Sequence, residues 1–362
     1  MRNAGIWFRK ARSRVFFLAG FLSVLMAGLL PLTTDLLLAQ KGGYAGAFSR
    51  MGYGPRGIAM GNAMSAFAGD GSYAYYNPAL AALNQDHIQV DMAAARLSFD
   101  RSLHMTGVQL QLPPSAGISF SLIHAGVQNI DSRTSSGYHI GQISTDEFQL
   151  QSAFGLRVRE QTWLGIGIKY LISRFHNDME NSTSIGFDIG LRHQFTTSTA
   201  LSVSVHDLFA AYRFDASGLY GIDQSIRNEQ AFPVRTKVGF AYTPESIWFL
   251  MGELEIQRSD AEQQTVQTGE SQGNPVVRTV RSETRSYRHL VKAGGGAHVH
   301  ERLTLRAGMQ WVEPNGESYL RPGAGFSLHL PWDRFSPSID YAAFKERAGV
   351  PLAHLFSFRF HL

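Results

Sequence analysis

From position 87 onward, apolar residues recur at every second position. Ile88, Val90, Met92 and Ala94 alternate with Gln89 and Asp91, and Ile118, Phe120 and Leu122 with Ser119 and Ser121. Leu164, Ile166, Ile168 and Tyr170 alternate with Gly165, Gly167 and Lys169, and Ile185, Phe187, Ile189 and Leu191 oppose Asp188 and Arg192. The same rhythm sets Val238, Phe240 and Tyr242 against Arg235 and Lys237, and Leu303, Leu305, Met309 and Trp311 against Thr304, Arg306 and Gln310. A period of two places one set on each face of a strand, so every strand has an apolar face and a polar or glycine face. The pattern predicts about fourteen strands, over 87–98, 102–112, 116–125, 145–158, 163–174, 183–195, 199–207, 234–243, 246–258, 284–297, 302–312, 319–330, 336–345 and 352–362. Most approach the roughly 9–11 residues that a tilted strand needs to cross a bilayer. In 102–112 the parity changes near Gly107, which predicts a bulge there.

The connections have their own rhythm. Short links at 113–115, 159–162, 196–198, 244–245, 298–301 and 331–335 alternate with longer ones at 126–144, 175–182, 208–233, 259–283, 313–318 and 346–351. The first outer link, 99–101, is short and breaks the rule. Tight turns at one rim and long loops at the other are expected of an outer-membrane barrel. The loop 259–283, rich in Gln, Thr, Ser and Glu, is expected to be mobile. Lys169, Asp188, Arg192, Arg235, Lys237, Glu253, Glu255, Arg306 and Asp340 all fall on the polar side of strands. A soluble sandwich or propeller would bury that side with fewer charges, so the charges belong to a lumen. There they either pair with one another or meet cargo.

Ahead of the strands, Arg2, Arg9, Lys10, Arg12 and Arg14 precede an apolar run over 15–32, then Pro31, Thr33, Thr34 and Asp35. That is a signal peptide over 1–40 with cleavage after Ala39 or Gln40, an uncleaved anchor being the competing reading. Its removal leaves 28 of the 33 basic and 28 of the 29 acidic residues, a net charge of zero. The basic balance of the whole chain therefore sits in the leader, and no nucleic-acid partner is expected. The chain has no cysteine, which excludes disulfides, thiolate metal sites and a lipid-modified cysteine. An exported chain of this length then needs a continuous hydrogen-bond network, and a closed barrel supplies one.

The stretch 48–83 is interrupted by Gly52, Gly54, Gly57, Gly61, Gly69 and Gly71 and ends in Tyr73, Tyr75, Tyr76 and Asn77-Pro78. Such a stretch folds as a compact, turn-rich segment with an aromatic anchor. Its runs RGIAMGNA, AGD and YAYYNPALAAL resemble the N-terminal signature of the PorV/PorQ family of outer-membrane proteins and, more distantly, the NPA-containing hatch of FadL-type transporters. GIKYL at 167–171, SIGFDIGL at 184–191, LSVSVHDL at 201–208, FPVRTKVGFAYTP at 232–244, LTLRAGMQW at 303–311 and the closing run from 339 resemble the same family in order. Tyr76 stands where relatives commonly carry Trp. The resemblance implies an all-β fold: a 14-stranded antiparallel transmembrane outer-membrane barrel over 87–362, with a hatch over 41–86 inside its lumen. It makes Arg56, Gly57, Gly61, Asp70, Tyr76, Asn77 and Pro78 the candidate hatch residues. Asp70 and Asn77 are suited to hold turns through side-chain hydrogen bonds. Phe356, Phe358, Phe360 and Leu362 resemble the C-terminal signal read by the barrel-assembly machinery.

No enzyme motif is present: there is no G-x-S-x-G elbow, phosphate loop or H-E-x-x-H. An outer-membrane phospholipase would need a serine–histidine pair near the lipid boundary. His298 and His300 have metal-ligand spacing but no completing carboxylate pair, so neither a metal nor any cofactor is expected. The resemblance implies passage or binding of small hydrophobic compounds at the cell outer membrane, with membrane lipid and the assembly machinery as partners. Its alternatives are a PorV-like role in type IX secretion, with exported proteins as partners, and a structural barrel without transport.

Overall fold

The computed structural model describes residues 45–362, apart from 70–72, 84–87, 176–178, 216–226, 272–273, 314–318, 333–335 and 347–348. The expected leader over 1–40 lies outside the described residues. Sixteen strands follow in order: β1 (Ile88–Leu97), β2 (Arg101–Leu112), β3 (Ala116–Arg133), β4 (His139–Arg159), β5 (Thr162–Arg174), β6 (Ser182–Gln194), β7 (Thr199–Leu208), β8 (Ala211–Asp215), β9 (Arg227–Ala231), β10 (Val234–Tyr242), β11 (Trp248–Ser271), β12 (Asn274–His300), β13 (Leu303–Glu313), β14 (Tyr319–His329), β15 (Ser338–Phe344) and β16 (Ala353–His361). Fourteen of them form a closed antiparallel barrel in which β1 pairs with β16, while β8 and β9 form a separate two-stranded sheet. Each barrel strand falls on one of the segments the alternation marks.

The two faces divide as the alternation requires. On β5 and β6 the outward Ile166 is 58% exposed and Ile189 is 54% exposed, while Lys169 and Asp188 are buried inside. On β16 Phe358 faces out and Arg359 faces in. An outer wall that is apolar from strand to strand, around a polar interior, suits a barrel whose outer solvent is lipid. No described helix is long and apolar enough to cross a membrane.

Three local expectations are corrected. The strand β2 passes Gly107 without a register shift, pairing it with Asp91 on one side and Ser121 on the other. Parity only looks broken because the inward Leu103 and Met105 are apolar, packed into the core that includes Tyr53 and Tyr73. Secondly, 259–283 is mostly a ladder: β11 and β12 stay paired from Trp248↔Ala297 to Ser271↔Asn274. Along this stretch the apolar alternation of the sequence stops while backbone pairing continues. The link 126–144 shrinks in the same way, to the turn between β3 and β4. Thirdly, the link 208–233 contains β8 and β9.

Candidate functional site

The segment 45–83 packs against the inner wall of the barrel. Three short helices lie in its described residues: a 3-10 turn at Ala47–Arg50, α1 (Gly54–Ala59) with proline in its first turn, and a 3-10 helix at Pro78–Leu83. Proline suits a first turn because its missing N–H is an orphan there anyway. The backbone leaves α1 through Gly61 at φ 63°.

α1 and the helix at Pro78–Leu83 each rest on a row of aligned glycines. On one wall Gly117, Gly155, Gly165 and Gly190 lie side by side across β3 to β6. A Cβ would stand 2.0 Å from Ala81 O at Gly117 and 2.7 Å from Ala82 N at Gly155. At Gly165 it would meet Ala79 N at 2.2 Å, and at Gly190 it would meet Asn77 Oδ1 at 1.9 Å. Across β12 to β14, Gly294, Gly308 and Gly323 form a second row. There Cβ atoms would lie 2.2 Å from Met60 O, 2.3 Å from Met60 C and 2.7 Å from Ile58 O. Only hydrogen-bearing Cα atoms let backbone pack on backbone this closely.

Polar ties fix the segment between these rows. The Arg56 guanidinium donates to Asp340 Oδ1 at 3.0 Å and to Ser338 Oγ at 2.6 Å, fully buried. Asn77 Nδ2 donates to Ser65 O at 2.9 Å and to Leu191 O on β6 at 3.2 Å, while its Oδ1 accepts from Ala79 N at 3.0 Å. One side chain thus caps the 3-10 helix and ties two parts of the segment to the wall. The Ser65 N–H donates to Glu253 Oε2 at 3.1 Å, and Ser202 Oγ donates to Ser65 Oγ at 3.0 Å. Arg192 Nε donates to Ala66 O at 2.9 Å, and Gln109 Nε2 donates to Leu80 O at 3.1 Å. Gly57 leaves room for the Tyr76 hydroxyl, which lies 2.7 Å from Asn62 Oδ1 and accepts from Tyr53 N at 2.9 Å. Pro78 lies over Gly165 and Gly167.

Tyr53, Tyr73, Tyr75 and Tyr76 form one cluster, with ring centroids 4.9–6.3 Å apart. Arg359 lies 4.9 Å from the Tyr73 ring and Lys237 lies 5.9 Å from the Tyr76 ring. Burial pushes the phenol groups of all four upward, so they stay neutral. Burial, with Arg235 nearby, brings the Arg50 guanidinium down to about 10.

Most of the lumen charges are buried in paired networks, while Arg192 and Lys237 lie instead over the Trp163 and Tyr76 rings. Lys169 Nζ reaches Asp188 at 2.9 Å and Asp207 at 2.7 Å, and Arg235 reaches the other Asp207 oxygen at 2.6 Å. Lys292 joins Glu253 at 2.7 Å and also Glu255. Arg306 bonds Ser327, and Arg359 pairs with Asp91. Pairing is required, because an isolated buried charge costs several kcal/mol. Asp207, His206, Lys292, Arg359 and Asp91 were not among the sequence candidates, although each joins these networks. The signal for Asp207 was present: in SVSVHDL two polar residues follow one another and break the period of two. The register slips there between Phe187↔Leu208 and Ile189↔Val205. Asp207 adopts φ 62°, and both His206 and Asp207 are buried inside.

Asp70 lies outside the described residues. Phe356, Phe358 and Leu362 face outward on the closing strand, with Phe360 half-buried. His298 Nδ1 lies 2.9 Å from Thr304 Oγ1, and His300 Nδ1 accepts from Arg302 N at 3.1 Å. On the outer wall, Ser102 Oγ, Asp146 Oδ1 and His124 Nε2 converge on Gly126, within 3.2–3.6 Å of the place a Cβ would take. His124 and Asp146 meet at 2.8 Å, but the Ser102 hydroxyl is bonded to neither His124 nor His104.

No protein-family profile matches the chain. No curated protein matches it in sequence. Solved structures do match in fold. A TodX deltaS2S3 mutant, a monoaromatic hydrocarbon channel, aligns with TM-score 0.61 at 13% identity, over 86% of this chain and 99% of its own. The Pseudomonas putida toluene transporter TodX aligns with TM-score 0.58 at 13% identity, over 85% and 96%. A Pseudomonas aeruginosa FadL homologue aligns with TM-score 0.56 at 13% identity, over 84% and 96%. The fold is that of the FadL-like fourteen-stranded barrels.

Proposed function

We propose that the chain is an outer-membrane barrel that passes or binds small hydrophobic compounds, with residues 41–86 as its plug and residues 1–40 as a cleaved leader. The observation that carries this is the seating of 45–83. Its described residues pack against the inner wall, held by two glycine rows and a short set of side-chain bonds rather than by strand pairing. Such a segment can shift as a unit while the barrel ladder stays closed. The likeness in fold to channels described for monoaromatic hydrocarbons and toluene supports apolar cargo. Outer-membrane lipid and the barrel-assembly machinery are the partners this reading requires, the latter acting on Phe356, Phe358, Phe360 and Leu362. No catalysis is part of it.

A second reading is a PorV-like component of type IX secretion. Its support is the ordered PorV/PorQ-like motifs, together with the ribbon of β11 and β12, which continues thirteen residue pairs past the last β10 partner, Arg258. One experiment separates the two: delete the gene and score uptake of hydrophobic compounds and surface display of secreted proteins. Loss of uptake with normal display supports passage. Loss of display with normal uptake overturns it.

A further inference from the structure

On the inner wall towards the long-loop rim, a group of buried polar atoms has no protein partner. Glu147 on β4 pairs across the ladder with Ser173 on β5, and Gln149 follows two residues along the same face. Glu147 Oε2, Gln149 Oε1 and Ser173 Oγ make no hydrogen bond, although Gln149 and Ser173 are almost wholly buried. The direction of the neighbouring bonds explains which end is left over. Gln149 Nε2 donates to Gln151 at 3.4 Å and Gln151 Nε2 donates to Asp188 at 3.3 Å, so the amide relay runs away from the rim and leaves the Gln149 carbonyl facing it.

The strand β8 covers this wall. Its Ala211 and Arg213 N–H groups donate to Ser184 Oγ at 2.8 Å and Ser182 Oγ at 2.9 Å on β6. Between them Tyr212 is buried, its hydroxyl turned towards the Glu147 carboxylate. Ile123 and Leu171 flank Gln149 across the ladder, and Phe214 and Phe232 pack against Tyr212, all four in the buried apolar core. Arg50 stands close enough to offset the charge of Glu147.

Buried polar atoms in folded proteins are normally satisfied, and a cluster that is not points to an occupant. The carbonyl oxygen of Gln149 only accepts, whereas the hydroxyls of Ser173 and Tyr212 donate or accept. The matching group must therefore donate and also be able to accept. A hydroxyl does both, a hydrocarbon does neither, and with Arg50 beside Glu147 an ammonium gains little. We propose that this niche binds the hydroxyl of a small neutral amphiphile, a phenol or alcohol on an apolar body, and that the barrel holds such compounds in preference to plain hydrocarbons. The proposal rests on the passage reading and narrows its cargo.

The test is calorimetric binding of 4-methylphenol and toluene to the full chain in lipid nanodiscs, corrected with empty nanodiscs. The two probes differ by one hydroxyl. 4-Methylphenol is expected to bind about tenfold more tightly, because a site built to bond a hydroxyl discriminates against its isostere. The double variant Gln149→Leu/Ser173→Ala, checked for an intact barrel by heat-modifiable gel migration, is expected to bring 4-methylphenol down to the toluene level and leave toluene within twofold. Equal binding of the two probes, or a variant that keeps the preference, overturns the proposal and assigns the niche to water alone, with the passage reading intact. Binding of neither probe overturns both.

Discussion

Adding one methyl group at Gly165 should unseat the plug without harming the barrel. The new Cβ would lie 2.2 Å from Ala79 N and 2.3 Å from Pro78 C, both backbone atoms of the 3-10 helix. Ordinary contact needs more than an ångström further, and neither wall nor helix can rotate a side chain away. Overpacking of this kind costs roughly 1–3 kcal/mol, and each 1.4 kcal/mol shifts a seated-to-unseated ratio about tenfold. The strand itself should gain slightly, since glycine inside a strand costs about 0.5–1 kcal/mol relative to alanine. Gly167 is the control, two residues along the same inner face: its added Cβ would meet Asp188 Cβ at 3.3 Å and Pro78 Cγ at 3.5 Å, contacts that need little or no movement. In planar bilayers Gly165→Ala should show about tenfold more frequent or longer open events, while Gly167→Ala stays near the unaltered protein. Equal conductance in the two variants, with heat-modifiable migration intact in both, would refute the seating of the plug on the glycine row.

Further outcomes follow from the same contacts. Asn77→Ala removes three hydrogen bonds, at roughly 1 kcal/mol each; hydrogen exchange should accelerate within 62–82 and not in β5 or β6. Asp340→Ala leaves the buried Arg56 without its carboxylate and should cost about 3–5 kcal/mol, whereas Arg56→Met with Asp340→Leu should recover most of it in thermal melts. Ile166→Arg on the lipid face should cost about 2–4 kcal/mol and lower the yield of heat-modifiable barrel, while Thr196→Arg in a tight turn should not.

The strands were legible because lipid outside and polar groups inside impose a strict period of two. Legibility failed where that asymmetry ends. Past the rim β11 and β12 pair without apolar alternation, and near the rim Leu103 and Met105 turn apolar side chains inward onto the plug. The candidate residues Arg56, Gly57, Gly61, Tyr76, Asn77 and Pro78 all make specific contacts within the segment 45–83 or with the wall. Their partners were not legible, because Arg56 and Asp340 are 284 positions apart and meet only when β1 and β16 close the ring. The glycine rows were half legible. Gly155 and Gly165 stand five and four residues from the turn at 160–161, and the register shift between Arg157 and Arg159 is what makes them partners. Their purpose shows only when Ala79 and Ala82 are seen against them.

Passage of cargo past a movable plug is tested most directly by locking the plug in place. Ser65 and Ser202 are buried with their hydroxyl oxygens 3.0 Å apart, and the chain has no cysteine of its own. Ser65→Cys with Ser202→Cys should therefore close a single disulfide between plug and wall. In cells lacking the native gene, uptake of a labelled small hydrophobic compound through this variant should fall to background when oxidised and return on reduction. Undiminished uptake by the oxidised, fully cross-linked protein would contradict a plug that must move for cargo to pass.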